Sequence, residues 1–275
     1  MTAAWPSVPA AVMAGVQRRW PDRVLPWANA VADELKTLCA KYDATPRTVM
    51  PARFSLVVAA DTPHGPIVLR SSPDPDGPQQ AEVAAALAAI GVAPALHEVT
   101  TTGTGTWTVL DQVRPGAPLG DVNPAEVSLD TLAAPLNAIG SNPGLATGLP
   151  HISTWRRRRL EDDHLTELAP RTGIAPAEQR REALHMLDDL TPDAQPALCH
   201  GDASPWNFLA DRTAGWMLID PRGVSGEIEY DLAILATKIA TGSAREAAIT
   251  RLARACDADS SRVRAWTVVA EAARV

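Results

Sequence analysis

The stretch Cys199-His-Gly-Asp-Ala-Ser-Pro-Trp-Asn-Phe-Leu209 sets His200, Asp202 and Asn207 in an H-x-D-x4-N spacing, and Leu218-Ile-Asp-Pro-Arg-Gly223 follows with Asp220. Residues 197–199 are short and apolar, so they read as a buried strand end that delivers His200 and Asp202. Pro205 blocks a helix behind them, which makes 201–206 a loop. Residues 208–210 and 216–219 are apolar runs separated by the turn cluster Asp211-Arg-Thr-Ala-Gly215, a hairpin pattern. A hairpin folds Asn207 and Asp220 back beside each other, one at each open end. Two oxygen donors then face one ion, which suits Mg2+ with its preference for few carboxylates plus phosphates and water. Asp202 supplies the carboxylate that orients an attacking hydroxyl. These are the parts that phosphoryl transfer from ATP requires.

On these residues, together with Gly226 and Tyr230-Asp-Leu-Ala233, the chain resembles the aminoglycoside phosphotransferase family of the protein-kinase-like fold. Its Ile219-Asp-Pro-Arg-Gly223 is most similar to the streptomycin 6-kinase and hydroxyurea phosphotransferase branch, in which Asp-Pro-x-Gly stands where protein kinases have Asp-Phe-Gly. The resemblance is specific over roughly residues 197–236 and looser from about 27 to 119. It implies an α+β, two-lobed kinase-like fold. Residues 1–113 would form a small antiparallel β lobe with one helix, preceded by a helical extension, and bind the nucleotide. Residues 114–275 would form a mostly helical lobe with the catalytic loop and the substrate site. The implied activity is ATP- and Mg2+-dependent O-phosphorylation of a small hydroxylated compound, an aminoglycoside such as streptomycin or a similar antibiotic. The expected assembly is a monomer or weak dimer.

Composition agrees with this reading. A chain of 275 residues with 46% apolar content can bury a sizeable core in one two-lobed domain or two small ones. No apolar run reaches the 18 or so residues of a membrane span. The first 25 residues, rich in Trp and Pro, lack the pattern of a signal peptide. Cys39, Cys199 and Cys256 are scattered and fit reduced thiols in the cytoplasm. A net charge of −7 argues against nucleic-acid binding, which leans on basic patches, and is compatible with a cationic acceptor.

Along the chain, apolar positions in residues 27–42 have a helical period, broken by Pro46 and Pro51. Residues 54–60 and 67–69 read as a hairpin around the turn at 61–66. Residues 79–90 read as an Ala-rich helix, and 96–101 and 106–113 as two more strands, after which 114–118 punctuates the chain. From about residue 124 the pattern is mostly helical apart from the catalytic loop and hairpin.

In the resembling family a lysine ends the third strand of the small lobe, holds the nucleotide phosphates and pairs with a glutamate in the next helix. Here Ile67-Val-Leu-Arg70 puts arginine in that place, and no lysine occurs between residues 42 and 237. The expected pair is Arg70–Glu82, with Arg70 on the α- and β-phosphates. Arginine keeps the charge and can grip phosphate in a fork, although its head is longer and planar. The segment 48–60, which should cover the phosphates, has no glycine, so Ser55 can offer only a hydroxyl and Arg53 a charge. Adenine is expected between the lobes against the backbone of Leu110-Asp-Gln-Val113, which makes Asp111 and Val113 candidate contacts.

Other residues have competing readings. His200 joins Asp202 as a catalytic candidate, although a ring that ties the loop to the core is favoured over a general base. Asp231 is read as a buried acceptor for catalytic-loop amides rather than a further magnesium ligand. The run Arg156–Arg159 is read as a solvated helix face balanced by Glu161, Asp162 and Asp163, not as a nucleic-acid patch. Those acids, with Asp188 and Asp189, are also candidates to greet a cationic substrate. Arg70 and the glycine-free loop keep open a catalytically impaired kinase-like nucleotide- or ligand-binding protein, and a kinase of another hydroxylated metabolite is a further alternative.

Overall fold

The computed structural model describes residues 5–123, 126–142, 148–162, 173–192 and 197–274. The chain divides into two units, Met1–Ala81 with Pro94–Gln112, and Glu82–Ala93 with Val113–Val275.

In the first unit, helices α1 (Ala10–Arg19) and α2 (Pro21–Lys41) precede strands β1 (Thr45–Val49), β2 (Leu56–Thr62) and β3 (Gly65–Ser72). Helix α3 (Gly77–Ala89) follows and is divided between the units. Strands β4 (Leu96–Thr101) and β5 (Thr106–Asp111) complete a five-stranded sheet in the order β1-β2-β3-β5-β4, antiparallel throughout. The core forms because α2 repeats apolar residues at helical spacing. Val24, Trp27, Val31, Leu35 and Leu38 are buried in one cluster with Leu56, Val58, Leu69, Trp107 and Val109 of the sheet. Two indoles fix the docking. Trp27 Nε1 donates to Ser71 Oγ at 2.9 Å, and Trp107 Nε1 donates to Glu34 Oε2 at 2.8 Å. Each buried indole N–H thus finds a partner.

Two features depart from the sequence reading. Helix α2 begins at Pro21, not at 27, and runs through Pro26. That proline forfeits one intrahelical bond, and the burial of Val24 and Trp27 carries the helix across it. Strand β1 was hidden by Pro46, read as a breaker. The strand lies at the sheet edge, where a missing N–H costs no ladder bond, and its register shifts at that residue. Helix α1 lies in the N-terminal extension expected to be helical, although no periodicity within residues 10–19 had marked it.

The second unit contains β6 (Pro115–Pro118), α4 (Leu129–Gly140), α5 (Ile152–Glu161), α6 (Ala177–Leu190) and β7 (Ala197–Leu198). It continues with β8 (Phe208–Asp211), β9 (Gly215–Leu218), β10 (Ser225–Gly226), α7 (Ile228–Ile239), α8 (Gly242–Ala255) and α9 (Ser260–Ala272). Residues 114–118, read as punctuation, include β6, which joins the β8–β9 hairpin in a three-stranded sheet. Helix α7 is buried without a break from Tyr230 to Ala236, as expected of a helix enclosed on all sides. The fold is α+β and kinase-like, with an antiparallel sheet in one unit and a mostly helical second unit.

Trp27 should dominate the stability of the first unit. Trp27→Ala is expected to cost about 3–5 kcal/mol, and Trp27→Phe, which keeps most of the packing but loses the Ser71 bond, about 1 kcal/mol. Urea unfolding of the parent and both variants checks the order.

Candidate active site

The loop that carries Asp202 is held from three directions. Strand β7 pairs with β10, Leu198 against Ser225, and leads His200 out of the core. The backbone N–H groups of His200 and Gly201 then donate to the two oxygens of one carboxylate, Asp231, at 2.6 and 2.9 Å. Asp231 is fully buried in the first turn of α7. Burial pushes its carboxyl up to about 7, against the two amides that favour the ionised form. This is the buried acceptor read from the sequence. Gly201 has φ 77°, and a Cβ there would lie 2.7 Å from Val224 and 2.8 Å from Arg222, so the turn needs glycine on both counts.

His200 is enclosed at 0% exposure. Its Nε2 lies 2.9 Å from the Ile219 carbonyl oxygen, and its Nδ1 accepts from the Asp202 N–H at 3.3 Å. A carbonyl can only accept, so the proton sits on Nε2. Burial lowers the pKa of the ring from its ordinary value and keeps it neutral. The general-base reading of His200 is therefore corrected: both ring nitrogens are committed, and the ring ties the loop to the strand before Asp220.

A 3-10 turn at Pro205–Asn207 follows the loop. The Asn207 side-chain amide donates to the Asp202 carbonyl at 2.8 Å, which leaves its Oδ1 as the atom available to an ion. The β8–β9 register, Phe208 opposite Leu218, continues outward as Ile219 N–H to Asn207 O at 3.0 Å. Asp220 is thus the next residue after Asn207's backbone partner, at the mouth of the hairpin as the spacing implied. Its carboxylate is exposed, on a backbone with φ 55°. Among the described residues no group of three or more His, Cys, Asp or Glu side chains forms a metal site. One amide oxygen and one carboxylate, completed by phosphates and water, match the modest demand of Mg2+.

The sequence reading missed the contact that matters most to Asp202. Arg222 Nη2 lies 3.1 Å from Asp202 Oδ2. The Arg222 backbone N–H donates to the His200 carbonyl at 2.8 Å, so the pair is built into the loop. The reading of Arg156–Arg159 as a solvated face also fails at its first residue. Arg156 is 2% exposed, its guanidinium 4.3 Å from the Trp155 ring centroid, and it donates to Tyr230 Oη. Of the acids invoked there, Glu161 lies 3.9 Å from Arg157, and Asp163 lies outside the described residues.

The remaining candidates lie in the first unit or at its border. Arg70 is half-buried on β3, opposite Val57 and Thr108. Ser55 is buried at the start of β2. The glycine-free turn before it is stiff. The Phe54 ring meets Trp20 edge-on at 5.7 Å, its carbonyl accepts from Ser72 Oγ at 3.2 Å, and a Cβ on Gly15 of α1 would lie 2.3 Å from the Arg53 carbonyl oxygen. Asp111 ends β5 with its carboxylate 2.7 Å from His97 Nε2 and its N–H on the Ala95 carbonyl at 2.9 Å. The Gln112 N–H is likewise on the Pro66 carbonyl. Glu82 is exposed on α3, and Val113 is buried; both belong to the second unit.

Fold and loop together define a kinase-like phosphotransferase class. The chain belongs to the phosphotransferase enzyme family, which it matches over residues 51–266. Its fold is similar to that of a choline/ethanolamine kinase family protein from Mesorhizobium loti, with TM-score 0.64 and 19% identity over 88% of this chain and 83% of that one. It is also similar to aminoglycoside-3'-phosphotransferase of type VIII, with TM-score 0.60 and 19% identity over 87% and 97% of the two chains. A third similar structure is a thermostable mutant of aminoglycoside phosphotransferase APH(4)-Ia in complex with ADP and hygromycin B, with TM-score 0.60 and 18% identity over 85% and 87%. No curated protein matches the sequence.

The His200 environment sets a pH dependence. Its folded-state pKa is lowered from 6.5, so below about pH 6.5 the unfolded chain takes up a proton that the folded chain does not. The His200 contribution to stability is therefore lost as pH falls through that range. Asp231, pushed up to about 7, acts in the opposite sense, so the His200 part is read as a difference: denaturant unfolding at a series of pH values should show the parent losing stability relative to His200→Gln as pH falls.

Proposed function

We propose that the protein is an ATP-dependent O-phosphotransferase acting on a hydroxyl of a small molecule. The arrangement of Asp202, Asn207 and Asp220 on one braced loop and hairpin carries this reading. Asp202 is the group assigned to the acceptor. With Oδ2 on Arg222, Oδ1 meets the hydroxyl and takes its proton as the acceptor oxygen bonds to the γ-phosphorus. The bond from that phosphorus to the bridging oxygen breaks, ADP leaves, and the proton passes from Asp202 to solvent. Asn207 and Asp220 are the donors for Mg2+, which when bound neutralises charge on the phosphate oxygens. Arg70 is assigned to the nucleotide phosphates, with Ser55 at the covering turn. For adenine the assignment narrows to the Val113 backbone, since the Asp111 and Gln112 amides are spent on carbonyls of their own unit.

Asp220-Pro-Arg-Gly223 supports the streptomycin 6-kinase and hydroxyurea phosphotransferase branch as the nearest part of the family. No helix among the described residues is long and apolar enough to cross a membrane, and all three cysteines are free and buried, which suits a reducing cytoplasm. A second reading, an impaired kinase-like binding protein, draws on the stiff glycine-free turn. The two separate on Mg-ATP. Binding to the folded state raises the thermal midpoint by mass action, and no shift at millimolar Mg-ATP would favour a protein that has lost the nucleotide.

Asp202→Ala should lower turnover by about 10²–10⁴-fold with nucleotide affinity little changed, whereas Asp220→Ala should weaken Mg-ATP binding itself. Isothermal titration beside a coupled ADP-release assay tells these effects apart. Arg70→Ala should reduce ATP affinity by one to two decades, the worth of about 1.5–3 kcal/mol in a charge-assisted contact, and Arg70→Lys should retain most of it. A flat affinity series across the three proteins would remove Arg70 from the phosphate site.

A further inference from the structure

Aromatic rings and guanidinium groups alternate from the core of the second unit out to Asp202. Trp266 is buried and meets the Tyr230 ring edge-on, with centroids 5.2 Å apart. The Arg156 guanidinium carbon lies 5.1 Å from the Tyr230 centroid and 4.3 Å from that of Trp155. Arg222 lies over the same Trp155 indole at 5.4 Å, and its Nη2 is 3.1 Å from Asp202 Oδ2. In this row Trp155 is the link between a buried arginine and the arginine on the carboxylate.

The inner members of the row are fixed. Trp266 Nε1 donates to Glu227, and Arg156 donates to Tyr230 Oη. A guanidinium only donates, so Oη accepts there and its own hydrogen is directed to the Gly201 carbonyl, at 3.4 Å. That carbonyl shares a peptide with the Asp202 N–H, which meets His200 Nδ1 at 3.3 Å. Helix α5, which carries Trp155, is anchored beside the same segment. His151 caps its first turn by accepting from the Ser153 N–H at 3.2 Å, and it bridges to Ser225, the β10 residue opposite Leu198 of β7. The half-buried Trp155 indole therefore offers Arg222 a face whose position is set by the core.

Arg222 has use for such a face. Both it and Asp202 are partly exposed, and an ion pair in that setting contributes little unless the long side chain is kept in one geometry. An indole attracts a guanidinium through its ring quadrupole and restricts where the guanidinium can go. We propose that Trp155 is a positioning residue for phosphoryl transfer: its indole holds Arg222 on Oδ2 of Asp202 and so keeps Oδ1 turned to the acceptor hydroxyl. The inference rests on Asp202 as the phosphoryl-transfer carboxylate. Mg-ATP is assigned to other residues, Asn207, Asp220 and Arg70, so loss of the indole should slow the chemical step and spare nucleotide binding.

The test follows ADP release from Mg-ATP, with water as the acceptor, in the parent, Trp155→Leu, Trp155→Phe, Arg222→Gln and the Trp155→Leu/Arg222→Gln double variant. Trp155→Leu should lower kcat about fivefold, the worth of one cation–π contact, with KM for ATP unchanged, and Trp155→Phe should keep most of the rate. Trp155→Met takes its place should the leucine variant not fold. In the Arg222→Gln background, Trp155→Leu should have no further effect, because members of one network are not additive. A parental kcat in Trp155→Leu, an effect on KM instead of kcat, or an undiminished loss in the Arg222→Gln background would each overturn the proposal. A second measurement does not depend on turnover. In heteronuclear NMR the Arg222 Nε–H signal, identified by its loss in Arg222→Gln, should carry an upfield ring-current shift in the parent. Trp155→Leu should remove that shift and speed exchange with water, and a signal indifferent to the substitution would sink the proposal. A parent that turns over no ATP yet shows this change counts against the phosphotransferase reading and not against the hold of Trp155 on Arg222.

Discussion

Two backbone amides on one buried carboxylate hold the catalytic segment in place. Asp231 has no water to satisfy it, so its ionised form is tolerable only with the His200 and Gly201 N–H groups pointing at its two oxygens. Those two bonds fix the orientation of consecutive peptide planes, and with them the turn that throws Asp202 outward. His200 then extends the bracing to the Ile219 carbonyl, and the Asn207 side chain returns to the Asp202 carbonyl. Each partner in this chain is itself held, which is how a loop acquires the rigidity of the elements around it. Burial pushes this acid up to about 7, yet both of its oxygens serve amides, which leaves neither for proton transfer.

The parts of this arrangement that were legible in the sequence share one property: they are local. The H-x-D-x4-N spacing, the turn cluster at 211–215 and the apolar runs around it are sufficient to place Asn207 beside Asp220, because a hairpin converts sequence distance into register. Asp231 was legible for a related reason, since a carboxylate at the head of the apolar run 232–236 needs donors. Helix α2 was visible from its period, yet its start was not, because the burial of Val24 overrode the breaker signal of Pro26. Strand β1 was lost to the same rule applied at Pro46, where an edge position suspends it.

What was not legible depends on charge meeting charge across long stretches of chain. The Arg222–Asp202 pair spans 20 residues, and the Arg156–Tyr230 contact spans 74. A run of four arginines has no internal mark that tells a buried member from solvated ones. The distinction comes from the helix period, which turns Arg156 inward with Ile152 and Leu160 and leaves Arg158 outside. Buried Arg156 is supported by aromatic faces, Trp155 and Tyr230, whose quadrupoles favour a guanidinium where bulk water is excluded.

The bonds that brace the loop and the charges placed beside it come from different side chains. Asp231, His200 and Asn207 govern the peptide planes and say nothing about the acceptor. The charge beside Asp202 comes from side chains that the frame merely carries, and Arg222 sits inside the motif itself. An arginine on Oδ2 of Asp202 commits that oxygen and sets a positive charge beside it. Trp155 ties this to α5, since a single indole supports both Arg222 and Arg156. The positive charge on Asp202 is therefore supported from α5 as well as from the residue after Pro221, while the bonds of the frame run through Asp231, His200 and Asn207.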